Sequence, residues 1–332
     1  MLRFGTIGSG WICDEYIHGA KDSGLWELTA VYSRTKERAE EYARRHGAKY
    51  AFTSLEEMAA SDYIDAVYIS SPNALHYEHS KAFLERGKHV ICEKPLCAQA
   101  SKVRELQRIA QEHGAVFLEA IMYLHLPQRK LLEDTLQQLG QISLVKLDFC
   151  QRSSKLDRYL QGELPNIFNP ALETGALMDL GVYCVYPALY LFGKPQNTLA
   201  VSHLLASGAD GSDIVAMQYP DKLVNLVFSK VGQAGANTDF QGTNGTVSVE
   251  SISKLANISI RYNNGTVEEI CGEEEKFKLM ATKRRIFTVI LQSPKLPARN
   301  TSSAPPSLTT FPSIWKKSAS SRTSASPPTT KT

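Results

Sequence analysis

Short apolar runs alternate with amphipathic, charged stretches over the first 120 residues. Arg3 to Ile7 predicts a strand, Gly8-Ser9-Gly10 a turn, and the residues after it a helix to about Lys21. Trp26 to Tyr32 alternates as a second strand, and Thr35 to Arg45 carries paired charges on a helical period. Ala66 to Ile69 is a compact strand ending in Ser70-Ser71-Pro72-Asn73. A helix from about Leu75 to Arg86 stops at Gly87, which suits a left-handed cap. His89 to Cys92, Ser101 to His113 and Ala115 to Leu118 continue the strand–helix–strand order. Alternation of this kind with short links predicts a parallel, doubly wound sheet.

The pattern changes after about residue 125. A helix from Gln128 to Leu139 precedes a strand from Ile142 to Cys150, and Asn197 to about Ile270 reads mostly as strands. Tyr219-Pro220-Asp221-Lys222 predicts a tight turn between Ile214–Gln218 and Leu223–Phe228. Asn244-Gly245 and Asn264-Gly265 predict hairpins. The fold class is therefore α/β, a doubly wound parallel sheet followed by an α+β half. That second half has a mostly antiparallel sheet with a helix or two on one face.

Composition narrows the function classes. Of 332 residues, 43% are hydrophobic and 21% charged, enough to bury a core and to exclude disorder over most of the chain. The apolar runs are short and interrupted, so no bilayer span is expected. Met1 to Gly5 lacks the plan of a signal peptide. The six cysteines form no C-x-x-C pair, so the expectation is a reduced, cytoplasmic protein without a zinc site or a disulfide framework. His18, His46, His113 and His125 show no metal-ligand spacing. The net charge of +3 is uneven: residues 293–332 hold six Lys/Arg and no acid, so the remainder carries 31 basic against 34 acidic residues. A mildly acidic folded part predicts neither nucleic acid nor membrane as partner.

Four stretches carry candidate chemistry. Gly8-Ser9-Gly10-Trp11-Ile12-Cys13 follows the first strand and opens a helix, the arrangement that brings backbone N–H groups up to a pyrophosphate. Cys13 stands where the third glycine of a dinucleotide fingerprint is usual, and is small enough to pack helix on strand. At the end of the second strand, Ser33 and Arg34, with Arg38 one turn on, replace the acid that would bind a ribose 2′-hydroxyl. A hydroxyl and a guanidinium fork suit a 2′-phosphate, so NADP(H) is favoured, with NAD(H) the second candidate. Glu93-Lys94-Pro95 lies at the carboxyl edge of the sheet, where Pro95 restrains Lys94. Gly175 to Cys184 sets Asp179 and Tyr183 four residues apart, on one face if helical.

Taken together these residues resemble the Gfo/Idh/MocA oxidoreductases, a family that includes glucose-fructose oxidoreductase and inositol dehydrogenase. The resemblance covers residues 1 to about 280. It rests on the glycine turn, Ser71-Pro72-Asn73 with His76, Glu93-Lys94-Pro95, Glu119-Ala120, and Gly175 through Tyr183. Many relatives have His where this chain has Tyr183. The tyrosine variant resembles the dihydrodiol dehydrogenase and glucose-fructose oxidoreductase branch and speaks against an inositol dehydrogenase. The resemblance implies a Rossmann domain over 1–122 and a substrate and dimerisation domain over 123–280. An open sheet in the second domain would join a homodimer or higher homo-oligomer. It adds Ser71, Pro72, Asn73, His76, Glu93 and Lys94 to the cofactor-binding set of Gly8, Gly10, Trp11, Ile12, Ser33, Arg34 and Arg38. It also places Tyr123 in the cleft as a substrate contact.

The reading that follows is an NAD(P)-dependent oxidoreductase acting on a hydroxyl/carbonyl pair of a sugar, polyol or small diol. Tyr183 is the expected acid/base, its phenol lowered by the Lys94 ammonium, which also polarises the substrate oxygen. Asp179 orients the substrate or Lys94. Two other classes compete: a cofactor-binding sensor without turnover, and an imine or bilin-type reductase, which has less need of Asp179 and Tyr183.

Beyond residue 280 the composition breaks. Residues 293–332 contain ten Ser, seven Thr and seven Pro. Read one frame over from Ala281, permitted codons can spell Tyr-Glu-Ala-Glu-Asp-Phe. The same offset from Ile314 can spell Met-Glu-Glu-Ile-Arg. The resemblance implies two helices here with alternating acidic and basic residues, so residues 281–332 are expected to be a frameshifted reading, in the gene or in its recorded sequence.

Overall fold

The computed structural model describes residues 1–272, so the expectation for 281–332 lies outside the described residues. The first sheet is built from β1 (Leu2–Ile7), β2 (Trp26–Tyr32), β3 (Tyr50–Phe52), β4 (Ala66–Ile69), β5 (His89–Cys92) and β6 (Phe117–Glu119). All its pairings are parallel, in the order β3-β2-β1-β4-β5-β6. Helices α1 (Trp11–Ser23), α2 (Lys36–His46), α3 (Leu55–Ala60), α4 (His76–Leu84) and α5 (Ala100–Glu112) connect these strands. Two cores result, one around Phe4, Ile17 and Val31, the other around Val67, Phe83 and Leu106. β4 is buried at every position, as a central parallel strand must be. The order reverses between β1 and β4, which puts a crevice at their carboxyl ends.

α6 (Gln128–Leu136) leads into the second sheet: β7 (Ile142–Cys150), β8 (Asn197–Leu204), β9 (Asp210–Gln218), β10 (Leu223–Ser229), β11 (Thr238–Gly242), β12 (Gly245–Ser251), β13 (Ala256–Tyr262) and β14 (Val267–Cys271). The expected turns at Pro220, Asn244 and Asn264 each join an antiparallel pair. The central pair β7–β10 is parallel, because the long insertion after β7 brings the chain back across the sheet. That insertion holds α7 (Leu156–Leu160), a π-helical turn at Leu177–Gly181 and α8 (Val182–Phe192).

One face of this sheet is covered by α8 and α6, with Leu147, Val215, Leu226, Phe228, Val247 and Ile258 inside. The opposite face presents Leu144, Leu199, Val201, Ile214 and Leu223, between 38% and 69% exposed. Pro170 to Phe192 has the length and the mean hydropathy, 1.4, of a bilayer span, which reading run by run overlooked. Here it is the central core segment: seven of the eleven α8 residues are buried against the sheet.

Candidate active site

The turn after β1 is shaped by Gly8. Its φ of +115° lies outside the usual range of L-residues, and a Cβ there would come within 2.3 Å of Ser70 Oγ and 2.9 Å of the Ser70 carbonyl. Gly10 precedes α1 with no side-chain cap and with open space around it. Cys13 is fully buried under the strands, the packing expected for the third glycine's substitute. A helix N-terminus left without a side-chain cap, beside a backbone cradle that a Cβ would fill, fits the pyrophosphate of a dinucleotide. Trp11 is 72% exposed at the mouth, with Ile12 half-buried behind it. At the end of β2, Ser33 is fixed by its N–H to Phe52 O at 3.1 Å, and Arg34 and Arg38 are exposed beside it. Thr35 caps α2 by accepting the Arg38 N–H.

The loops after β4 and β5 are braced together. His76 is 1% exposed and sets one ring nitrogen 2.8 Å from Ser71 O, the other 2.9 Å from Pro95 O. Burial depresses its basicity. A ring so enclosed braces the Ser71 and Pro95 backbone, so its side chain positions the Lys94–Pro95 loop. Asn73 donates to Glu173 O at 2.8 Å and ties this edge to the second sheet's insertion. Ser71 Oγ meets His79 at 3.0 Å, and Pro72 precedes the short turn that starts the α4 region. Glu93 accepts from Tyr68 OH at 2.5 Å, and its second oxygen lies 3.3 Å from the Lys94 N–H.

Lys94 lies two residues past the end of β5 and joins Pro95 by a cis peptide. Its ammonium donates to Asp179 O at 2.9 Å and to Asp179 Oδ1 at 3.1 Å. It also lies 4.9 Å from the centre of the Tyr183 ring, which packs edge-on against Phe149. The three catalytic candidates, read from stretches 85 residues apart, thus converge between the two sheets. Asp179 sits in the π-helical turn and Tyr183 on α8. Gly181 between them makes this possible, since a Cβ there would lie 2.7 Å from Phe228.

Electrostatics corrects one expectation. Burial works against the Lys94 charge, but Tyr183, Asp179 and Glu93 outweigh it and hold the ammonium firmly protonated. Burial likewise opposes ionisation of Asp179, and two lysines overcome it, keeping the carboxylate below its usual range. At Tyr183 burial wins. The pull of Lys94 does not offset it, and the phenol titrates above its ordinary value instead of below.

Tyr123 is also displaced from its expected place. It is fully buried in the second core against Tyr190, with its hydroxyl unpartnered, and does not face the cleft. Sequence reading missed two contributors. Glu119 accepts from the Leu96 N–H and from Tyr186, and burial pushes its carboxyl up to about 7. Lys230, just after β10, reaches Asp179 Oδ2 at 2.5 Å. The Glu119-Ala120 pair was a signal for the first; a lone lysine at a strand end offered none.

Two family profiles match the chain in tandem. The oxidoreductase family Gfo/Idh/MocA, with its NAD-binding Rossmann fold, matches residues 2–120, and the Gfo/Idh/MocA C-terminal domain matches 129–248. The chain belongs to the Gfo/Idh/MocA family. As an NAD(P)-dependent oxidoreductase of that family it is 40% identical over 293 residues to the scyllo-inositol 2-dehydrogenase (NADP(+)) IolU of Bacillus subtilis, covering 88% of this chain and 89% of that one. It is 29% identical over 260 residues to the mouse trans-1,2-dihydrobenzene-1,2-diol dehydrogenase, covering 76% and 75%. Among solved Gfo/Idh/MocA-like folds, the 3-ketoreductase KijD10 of Actinomadura kijaniata, in complex with NADP and TDP-benzene, superposes with a TM-score of 0.79. It covers 90% of this chain and 91% of that one at 24% identity. The relatives thus include both a scyllo-inositol dehydrogenase and dihydrodiol dehydrogenases.

Proposed function

We propose that this Gfo/Idh/MocA protein is an NADP(H)-preferring dehydrogenase that interconverts a secondary hydroxyl and a ketone on a polyol or a vicinal diol. The observation that carries this reading is the Lys94 ammonium, held 2.9 and 3.1 Å from Asp179 and 4.9 Å from the Tyr183 ring at the carboxyl edge of the parallel sheet. When bound, the nicotinamide supplies or accepts the hydride. Two of the three Lys94 N–H groups are spent on Asp179, and the third is free to polarise the substrate oxygen. Tyr183, with its raised phenol, is a proton donor at neutral pH and suits ketone reduction; oxidation needs its anion and should speed up as pH rises.

Ser33, Arg34 and Arg38 support a 2′-phosphate partner, and the NADP(+)-dependent relative agrees with that preference. The substrate class rests on the relatives that act on scyllo-inositol and on a dihydrobenzene diol, both cyclic with neighbouring hydroxyls. The apolar outer face of the second sheet supports a homodimer. The test is a titration with NADPH and NADH, then turnover on a panel of inositols, aldoses and cyclic diols. Tyr183→Phe should abolish turnover and leave NADPH binding within about twofold. Near-normal turnover in that variant would remove Tyr183 from the reaction. Ser33→Asp with Arg34→Ala should swing preference to NADH, and unchanged preference would sink the 2′-phosphate argument.

A further inference from the structure

We propose that Lys230 is a positioning residue for this site, acting through Asp179 to offset the carboxylate's charge and so preserve the pull of Lys94 on the substrate oxygen. The inference rests on the catalytic reading of Lys94 and Asp179 given above. A Lys94–Asp179 pair alone is electrically neutral, and its field at a nearby oxygen largely cancels. The second lysine offsets the Asp179 charge, so that of the two carboxylates acting on Lys94 only Glu93 is left without a cation of its own. Asp179 Oδ2 is taken by Lys230 at 2.5 Å, and Oδ1 by Lys94 at 3.1 Å. With both oxygens engaged, the carboxylate is fixed in rotation, and so is the ammonium that donates to it.

Lys230 is itself well held. Its N–H donates to Gly211 O at 2.8 Å and its carbonyl accepts the Ser153 N–H at 2.8 Å, so β9 on one side and the segment following β7 on the other pin its backbone. Its side chain is only 9% exposed. Burying a second ammonium is costly, and a purely structural need at this point would be met as well by an apolar side chain. The other ionisable groups around the site do not replace it. Glu93 is occupied by Tyr68 and the Lys94 N–H, Glu119 by Tyr186 and the Leu96 N–H, and Tyr183 lies beneath Lys94. Lys230 is the second cation on Asp179 among the described residues.

The experiment compares wild-type protein, Lys230→Met, Lys230→Arg, Asp179→Asn and the Asp179→Asn/Lys230→Met double variant, using NADPH and the best substrate of the panel. Lys230→Met should keep NADPH affinity within about twofold while kcat falls about tenfold or more. Its acid limb in kcat/KM should move up by about one unit or more, because Asp179 then has one cation fewer. A limb due to Glu119 would stay in place. Lys230→Arg should recover most of kcat. In the Asp179→Asn background the lysine change should add little, which marks action through Asp179. Should Lys230→Met fail to fold, Lys230→Arg and the double variant carry the test. Wild-type kcat and an unmoved acid limb in Lys230→Met would overturn the inference, as would losses that simply multiply in the double variant. Normal turnover in Asp179→Asn would instead overturn the underlying reading of the site.

Discussion

Replacing Asp179 with Asn should destabilise the protein by about 3 kcal/mol at pH 7, within the range for breaking a buried ion pair. The carboxylate is 30% exposed and the two lysines 14% and 9%, so all three charges are largely out of water. At separations of 3.1 and 2.5 Å, and an effective dielectric of about 20, the gross attractions are about 5 and about 7 kcal/mol. Desolvation of three groups offsets most of that sum, which is why the lower end of the measured range is expected. The variant removes the anion the two ammonium groups share and leaves Glu93 beside Lys94 only, so burial and mutual repulsion should bring at least one lysine below its unfolded value of about 10.4. A depressed lysine penalises folding in full while both states are protonated. The penalty fades as pH rises from the folded value toward the unfolded one. The gap between variant and wild type should therefore narrow between about pH 8 and pH 10. Urea unfolding at pH 7 and pH 9.5, with matched m-values, measures both parts. A loss below about 1 kcal/mol at pH 7, or a gap that widens with pH, would refute the account of the site as a desolvated three-charge cluster.

Three further outcomes are expected. Gly8→Ala should raise the NADPH Kd by about tenfold or more, since the new methyl meets the Ser70 carbonyl and the left-handed φ is itself costly; fluorescence titration would show it, and an unchanged Kd would count against the glycine turn as the cofactor cradle. Glu119→Gln should flatten the stability profile between pH 5 and 8: the buried carboxyl, pushed up to about 7, favours the folded state when protonated and destabilises it as pH rises through that value. Thermal melts of both proteins at pH 5.5 and 8 should show the variant gaining relative to wild type at the higher pH. If the outer face of the second sheet joins the proposed homodimer, Val201→Asp with Ile214→Asp, a register pair on that face, should give a monomer in sedimentation experiments where the unmodified protein sediments as a dimer, with the fold intact; an unmodified protein that is itself a monomer would refute the dimer.

The periodic parts of the fold were legible because each strand's burial is a local property. Ala66–Ile69 reads as apolar throughout and is buried throughout, whereas β9 and β10 alternate in burial but not in sequence, with Ile214 and Leu223 on the exposed face and Asp213 on the buried one. Direction was less accessible. Ile142–Cys150 and Leu223–Ser229 both look like strands of an antiparallel sheet, yet they pair parallel, because direction depends on where the intervening 70-odd residues travel. The core segment from Pro170 to Phe192 was similarly hidden. Its hydropathy emerges only when the glycines and Asp179 are averaged with their apolar neighbours.

The candidate site divides along the same line. Glycine turns and the Glu93-Lys94-Pro95 link constrain backbone, so they leave a readable trace in short stretches. Side-chain environment leaves none: Tyr123 and His76 both lie near cleft elements, but burial takes one into the core and makes the other a brace between loops. Tyr183 shows the limit most clearly. The presence of Lys94 correctly predicted a cation beside the ring, and the sign of the net shift still came out the other way, because desolvation is a property of everything packed around the phenol. Lys230 is the extreme case. It follows a strand with no motif around it, and its importance arises from a partner 51 residues away that is already held by a lysine from the other sheet. A site assembled from both sheets can be recognised in sequence by its backbone-constrained members. Its charge balance depends on members that only the fold brings together.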